Sequence, residues 1–325
     1  MIVDGSTRKD KGQRAIVDIL ENYGTILGLV IICAVFSFMT PAFLTRDNLL
    51  AIVAQSSAIG IISIGLTFVM ITEKTDMSFG SCCGLSGMTT AFLLSRHLHP
   101  VPAILLGLCV GLIIGLVNSW LVVHLRIQSV VATISTQAIA FGLAYLYSGG
   151  VDIHDGVEAP FTLLGKGFVG PVPMPAVLLL VILAGAIFFM NYTRFGRYLY
   201  AVGGNPIAAK FSGIRVQSYE VLAYVICGVL ASAAGILMVA RLGYGAAYTG
   251  QGYLLDGFAS VYLGCTILKR GKPNVVGSVV GALFMMILNN GFQLLNVDFV
   301  MQILAKGAAL LLIVTTHSLL ALKKD

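Results

Sequence analysis

Long apolar runs separated by short polar breaks dominate this chain and restrict the folds open to it. A helix needs roughly 20 apolar residues to cross the core of a bilayer, and fewer where protein surrounds it. Such runs lie near residues 23–40, 49–71, 78–95, 102–123, 129–148, 175–190, 219–240, 255–268, 275–295 and 299–319. They lack the alternating pattern of a membrane β-barrel. The sequence therefore predicts an all-α integral membrane protein with about ten transmembrane helices.

The composition excludes a soluble fold. The 325 residues are 58% hydrophobic and only 10% charged, whereas soluble domains carry about 25% charged residues. We expect a single transmembrane domain over 1–325, with a polar tail at 1–22 and a long polar loop at 191–219. The net charge of +6 reflects the orientation of the chain in the membrane, and we predict no nucleic-acid partner.

The positions of Lys and Arg predict that orientation. If the N-terminus is cytoplasmic, the basic residues of the outside loops are Arg46, Arg96, Lys166 and Arg241. All other loop Lys and Arg residues then lie inside, as expected for cytoplasmic loops. Both termini and the loop 191–219 are therefore predicted to be cytoplasmic. The acidic loop 149–174 lies outside and is a candidate surface for an extracytoplasmic partner.

Two charged breaks resemble each other. The sequence TEKTD at 72–76 is followed by GSCCG at 80–84, and LKRGKP at 268–273 is followed by GSVVG at 277–281. Transporters are often built from repeats whose corresponding helices are interrupted. The chain therefore has a possible internal repeat with interrupted helices, although Gly-Ser pairs also recur by coincidence in membrane helices.

The loop 191–219 is basic through Arg194, Arg197, Lys210 and Arg215. Its centre predicts a short helix with Asn205 as N-cap, Pro206 in the first turn and Gly213 as the stop. We expect a helix of this kind to act against another protein. The basic residues could pair with acids on that protein or serve only as cytoplasmic anchors.

Several residues within the spans indicate packing or polar contacts. Gly107, Gly111 and Gly115 share one helix face and predict close helix packing, within one subunit or between two. Polar side chains in spans should face protein or a water-filled path, and the candidates for a translocation path are Asn118, Gln137, Asn289, Asn290 and Gln293. An inter-helix hydrogen bond is the alternative for each.

Lys306 is the basic residue deepest in a span, and Asp256 and Asp298 are its possible partners. The spans otherwise hold few ionisable residues, which argues against an ion-coupled carrier. The chain has no phosphate-binding loop, hydrolase motif or metal-ligand spacing. We therefore predict no catalytic residue, metal or cofactor, and interpret the six cysteines as small apolar residues.

The amino-acid sequence of the loop 191–219 resembles that of a known family of membrane proteins. The sequence GRYLYAVGGNPIAAKFSGI at 196–214 resembles the coupling loop of ribose-type sugar permeases, the membrane subunits of bacterial ATP-binding-cassette importers. The resemblance covers nearly the whole chain, with GLTFVM at 65–70, CGVLASAAGI at 227–236, ARLG at 240–243 and LNNG at 288–291 in matching order.

The chain departs from the family pattern at three places. The usual TGGIDLSVG is TEKTDMSFG at 72–80, which keeps Asp76, a further path candidate. The usual YELD is YLLD at 253–256, and the glycine-rich turn after the eighth span is ILKRGKP at 267–273. These changes leave the choice of solute open.

The resemblance implies a permease subunit in the bacterial cytoplasmic (inner) membrane that imports a small polyhydroxylated solute such as ribose or a related sugar. It implies a cytoplasmic ABC ATPase, an extracytoplasmic sugar-binding protein and a second permease subunit, as homodimer or heterodimer, as partners. The ATPase-coupling residues would be Arg197, Asn205, Pro206, Ala208, Ala209, Lys210 and Gly213. The alternatives are an ion-coupled secondary transporter, a membrane-embedded enzyme, or a permease of the same family for a nucleoside, polyol or signalling furanone.

Overall fold

The computed structural model describes residues 27–265, 267 and 271–322, and these residues are mostly helical. The predicted tail at 1–22 and residues 323–325 lie outside the described residues, as do Leu268, Lys269 and Arg270 of the second break. The helices are α1 (Leu27–Met39), α2 (Arg46–Ile71), α3 (Phe79–Ser95), α4 (Pro100–Ser119), α5 (Ser129–Ser148), α6 (Leu163–Lys166), α7 (Met174–Tyr192), α8 (Arg194–Gly204), α9 (Pro206–Phe211), α10 (Val216–Leu242), α11 (Leu254–Gly264), α12 (Val275–Leu294) and α13 (Phe299–Leu322).

A helix lies at the position of each predicted span. Within the described residues, six helices are long and apolar enough to cross a membrane: α2, α4 with the π-helical turn Trp120–His124 that continues it, α5, α7, α10 and α12. The helices α1 and α3 and the first part of α13 are apolar but shorter. The chain is therefore an all-α membrane protein. Its strands β1 (Phe168–Val169) and β2 (Val172–Pro173) form a two-residue hairpin in the loop 149–174.

Helices α2, α10 and α12 form the centre of the bundle, because most of their apolar length is buried by other helices. In helices α4, α5 and α7, by contrast, most of the apolar length is not buried by the rest of the chain. The exposed side chains there are large and apolar, such as Leu105, Ile113 and Leu180. This distribution suits helices that face lipid on one side and protein on the other.

The predicted glycine face of α4 packs closely within the chain. A side chain at Gly111 would collide with the backbone of Gly228, and one at Gly115 with the carbonyl oxygen of Tyr224, both in α10. Gly107 lies against Thr90 of α3 and Ile236 of α10. The prediction of close helix packing is confirmed, and the packing is between helices of one subunit.

Both charged breaks interrupt helices. Residues 72–78 separate α2 from α3, and residues 265–274 separate α11 from α12. The two glycines that follow each break pack on backbone carbonyl oxygens: Gly80 on Gly250, Gly84 on Ala247, Gly277 on Gly264 and Gly281 on Ser260. The breaks thus resemble each other in local packing, while the internal repeat stays a prediction.

Candidate functional site

The loop between α7 and α10 is ordered into two short helices. Helix α8 is amphipathic and turns Gly196, Leu199, Val202 and Gly203 towards the bundle. Arg194 and Arg197 lie on its exposed face. Helix α8 therefore rests against the bundle by a face of glycine and aliphatic residues, and its positive charges lie in solvent.

Helix α9 has the boundaries that the sequence predicts. The side-chain oxygen of Asn205 accepts a hydrogen bond from the amide of Ala208 (2.9 Å), and Pro206 occupies the first turn. Gly213 has a φ of 81°, and the amide of Ile214 donates to the carbonyl oxygen of Ala209 (3.0 Å). This positive φ favours glycine and ends the helix in the manner of a Schellman motif.

The exposed surface of α9 is formed by two large apolar side chains. Ile207 is 68% exposed and Phe211 is 89% exposed, with Ala208 and Lys210 also in solvent. Ala209 is only 5% exposed and packs against the chain itself. Ile207 and Phe211 are not among the coupling residues predicted from the sequence, although their spacing of four residues places them on one helix face.

Helix α8 contacts both charged breaks. A side chain at Gly203 would collide with the carbonyl oxygen of Ile71, where α2 ends and the first break begins. The hydroxyl of Tyr200 donates to the carbonyl oxygen of Pro273 in the second break (2.8 Å). Burial raises the pKa of Tyr200 to about 12, so this phenol remains protonated at neutral pH.

A buried polar cluster joins the first break to α4 and α5. The hydroxyl of Ser78 donates to the carboxylate of Asp76 (2.6 Å), and the amide of Asn118 donates to Ser78 (2.7 Å). Thr136 in turn donates to the side-chain oxygen of Asn118 (2.5 Å). All four side chains are buried, so the structure brings Asp76 and Asn118 together in one network between α3, α4 and α5.

Hydroxyl groups of neighbouring helices also hold the backbone of this break. The amide of Met77 donates to Thr133 (2.9 Å), and the amide of Thr75 donates to Ser129 (3.3 Å). The hydroxyl of Tyr224 donates to the carbonyl oxygen of Thr75 (3.1 Å). Side chains of α5 and α10 thus provide hydrogen-bond partners for the irregular backbone of the break.

A second buried cluster joins α11, α12 and α13. The ammonium of Lys306 lies 3.3 Å from the carboxylate of Asp256, and the amide of Asn289 donates to the same carboxylate (2.8 Å). Of the two possible partners, Lys306 therefore selects Asp256. Asp298 instead accepts the amide of Val300 (2.8 Å) at the start of α13.

The other candidate path residues lie apart from these two clusters. Asn290 exchanges hydrogen bonds with Asn48 of α2 (2.7 and 3.0 Å) and so links α12 to α2. Gln137 is half-buried and Gln293 is exposed. Asn118, Asn289 and Asn290 each make the inter-helix hydrogen bond that was the alternative to a role in a path.

Buried networks thus join the interrupted helices, and α8 and α9 leave an exposed surface beside the bundle. Interrupted helices of this kind are common in transporters. The chain belongs to the family described as "Branched-chain amino acid transport system / permease component", which matches residues 48–315. It is thus a permease component of an ATP-binding-cassette import system, a multi-pass protein of the inner membrane and not an enzyme.

The curated relatives agree with this family. The ribose import permease protein RbsC of Escherichia coli (strain K12) is 35% identical over 293 residues, which cover 89% of this chain and 91% of the relative. RbsC of Bacillus subtilis (strain 168) is 34% identical over 297 residues, covering 91% and 92%. The galactose/methyl galactoside import permease protein MglC of E. coli (strain K12) is 29% identical over 325 residues, covering 94% and 97%. The predicted resemblance to ribose-type permeases is confirmed. No solved structure matches the chain.

Proposed function

We propose that this permease imports a small polyhydroxylated solute, a monosaccharide, and that helix α9 couples it to a separate ATPase. The observation that carries the coupling is the contact of α8 with both charged breaks, through Gly203 at Ile71 and Tyr200 at Pro273. The solute class is inferred from the relatives, which are import permeases for ribose and for galactose or methyl galactoside.

In this proposal all ten apolar helical segments cross the bacterial cytoplasmic membrane, and both termini are cytoplasmic. The loop 191–219 then faces the cytoplasm, as its basic residues favour. The acidic loop 149–174 faces outward, where Asp152, Asp155 and Glu158 would meet a sugar-binding protein. A second permease subunit, identical or different, would complete the transport path.

The exposed face of α9 would enter a groove on the ATPase. Ile207 and Phe211 supply the apolar area, while Lys210 and Arg197 would pair with acids at the rim of the groove. Buried aromatic anchors contribute most to such interfaces, and charges at the rim contribute little. Asn205 and Gly213 set the two ends of α9, and Ala209 lets the helix lie close to its own chain.

Closure of the ATPase pair would then displace α9, and α8 would pass the movement to both breaks. A short helix moves as a rigid element, so the displacement would reach Ile71 and Pro273 together. The Asp76–Asn118 network includes residues of the first break itself. Opening and closing of the breaks would expose Asp76, Asn118, Asn289 and Asn290 in turn to a polar path.

Uptake into proteoliposomes tests this function. The permease is reconstituted with the ATPase and binding protein of its own system, and radiolabelled ribose, allose, galactose and leucine are offered in separate assays. We expect uptake of at least one sugar that requires ATP and both partners. Uptake by the permease alone, driven by an ion gradient, would contradict the proposal.

The family description supports one second candidate, a branched-chain amino acid as solute. ATP-dependent uptake of leucine with no uptake of the three sugars would favour that candidate. In that case the coupling through α8 and α9 would stand, and the sugar assignment would be replaced.

A further inference from the structure

A polar cleft of about 670 Å³ lies between the first charged break, the end of α4 and the start of α10. Its volume falls within the range of small-molecule sites, about 300–1,000 Å³. The polar lining includes the carboxylates of Glu73 and Glu220, the amides of Gln128 and Gln217, and the hydroxyl of Ser129. The coupling contacts of α8 and α9 do not involve this cleft.

The backbone around the cleft has unusual conformations. Glu73 and Arg126 both adopt left-handed φ angles, 58° and 56°, and the π-helical turn Trp120–His124 ends beside them. Such conformations concentrate at functional sites. Within the described part of the chain, the side chains of Gln128 and Gln217 make no hydrogen bond. Both amides are exposed and available to a ligand.

The charged residues that line the cleft indicate which class of ligand it can bind. The two acids, Glu73 and Glu220, are matched by two bases, Lys74 and Arg126, and Lys74 lies 3.9 Å from Glu220. A balanced lining offers little to an anionic headgroup or a free phosphate. Carboxylates accept hydrogen bonds and amides both donate and accept them, so the lining suits a neutral ligand with several hydroxyl groups.

A row of hydroxyl groups connects the cleft to the Asp76–Asn118 network. Ser129 lines the cleft, Thr133 holds the amide of Met77, and Thr136 donates to Asn118. Spacings of four and three residues place these side chains along one face of α5. The cleft therefore lies at the end of a polar row that begins among the candidate path residues.

We propose that this cleft is a low-affinity binding site for the transported neutral polyhydroxylated solute, on the side from which the solute is released. The proposal rests on the proposed function. It adds a solute-binding site to the polar path proposed above. A bound sugar would bind through Glu73 and Gln128 and would cover the position of Gln217 at the start of α10. Weak binding is required here, because the solute must leave.

Protection of an introduced thiol tests the site. The purified full-length Gln217→Cys variant, in lipid nanodiscs, is treated with a polar maleimide, and labelling at that position is followed by mass spectrometry. The probes are D-ribose, D-allose and D-galactose, with L-leucine and inorganic phosphate as ligands of other classes. For a dissociation constant of about 1 mM, about 10 mM sugar should slow labelling roughly tenfold.

Two further variants make the result specific. Ser212→Cys places a thiol on the exposed end of α9, outside the cleft lining, and its labelling should not respond to sugar. Adding Gln128→Ala to Gln217→Cys should reduce the protection several-fold while the rate without sugar stays the same. Equal labelling of Gln217→Cys with and without each of the three sugars overturns the proposal, as does equal protection of both thiol variants.

The result of the thiol-labelling assay does not depend on the experiments that test coupling to the ATPase. The labelling assay needs neither ATPase nor binding protein. Loss of protection would therefore remove the cleft site and leave the assignment of α9 intact. Failure of ATP-dependent sugar uptake, with protection present, would instead count against the proposed function.

Discussion

The hydroxyl of Tyr200 donates a 2.8 Å hydrogen bond to the carbonyl oxygen of Pro273, and so joins α8 to the second charged break. Gly203, one turn further along α8, lies against the carbonyl oxygen of Ile71 at the first break. One helix of 11 residues therefore contacts both interruptions of the bundle. In the proposed mechanism a displacement of α8 would act on both breaks at once, and these two contacts are its physical basis.

Removing the hydroxyl of Tyr200 should weaken coupling without preventing ATPase binding. Tyr200→Phe keeps the ring and removes a hydrogen bond with a net contribution of about 1 kcal/mol, so we expect about a fivefold loss of solute moved per ATP hydrolysed. Tyr198→Phe, on the exposed face of the same helix, is the matched control and should behave as wild type. An unchanged transport ratio in Tyr200→Phe would remove this contact from the mechanism.

A methyl group at Gly203 should separate α8 from the end of α2. The Cβ of Gly203→Ala would collide with the carbonyl oxygen of Ile71, whereas a Cβ at the adjacent Gly204 meets open space. Overpacking of this kind costs about 1–3 kcal/mol. We expect Gly203→Ala to lose most uptake and Gly204→Ala to retain it, measured at matched amounts of folded protein. Similar uptake by the two variants would argue against a coupling role for this contact.

Breaking the buried ion pair should destabilise the protein strongly. Lys306→Met leaves the carboxylate of Asp256 buried without its cation, a change that costs about 3–5 kcal/mol. We expect a lower melting temperature and a lower yield of folded protein. The double variant Asp256→Asn with Lys306→Met should recover most of the loss. If Lys306→Met melts like the wild type, the pair does not hold α13 to α11.

The packing of α4 on α10 gives a test of the fold. Gly111→Ala would place a methyl group on the backbone of Gly228, and about 1–3 kcal/mol of stability should be lost. Gly142→Ala in α5 adds the same group where nothing lies within 4 Å, and should keep or slightly raise the stability. The melting temperatures of both variants in detergent measure the difference. Equal melting temperatures would show that α4 and α10 do not approach as described.

The positions of the helices and the two ends of α9 could be predicted from the sequence, because nearby residues determine them. Apolar runs specify the spans, and Asn205, Pro206 and Gly213 specify a short helix by capping and backbone preference. The exposed face of α9 could not be predicted from the sequence. Ala208 and Ala209 are the same residue type, but Ala208 is exposed and Ala209 is buried. The apolar surface of Ile207 and Phe211 became evident only when Ala209 was placed against the chain.

Contacts between distant residues also could not be predicted. Tyr200 and Pro273 are 73 residues apart, and neither has a sequence feature that distinguishes it from other loop residues. Lys306 had two candidate acids, and the nearer one in sequence, Asp298, is used at the start of α13. The pairing with Asp256 depends on how α11, α12 and α13 pack, and no local pattern encodes that arrangement.

The most direct test of the central claim is capture of the ATPase by variants of the exposed α9 surface. Phe211→Asp changes a side chain that is 89% exposed, so the permease should fold normally. Phe168→Asp makes the same change at a residue that is 60% exposed on β1, and serves as the control. We predict that Phe211→Asp captures at least about tenfold less ATPase, a difference of about 1.4 kcal/mol, while Phe168→Asp captures as much as wild type. Wild-type capture by folded Phe211→Asp would contradict the assignment of α9 as the docking helix.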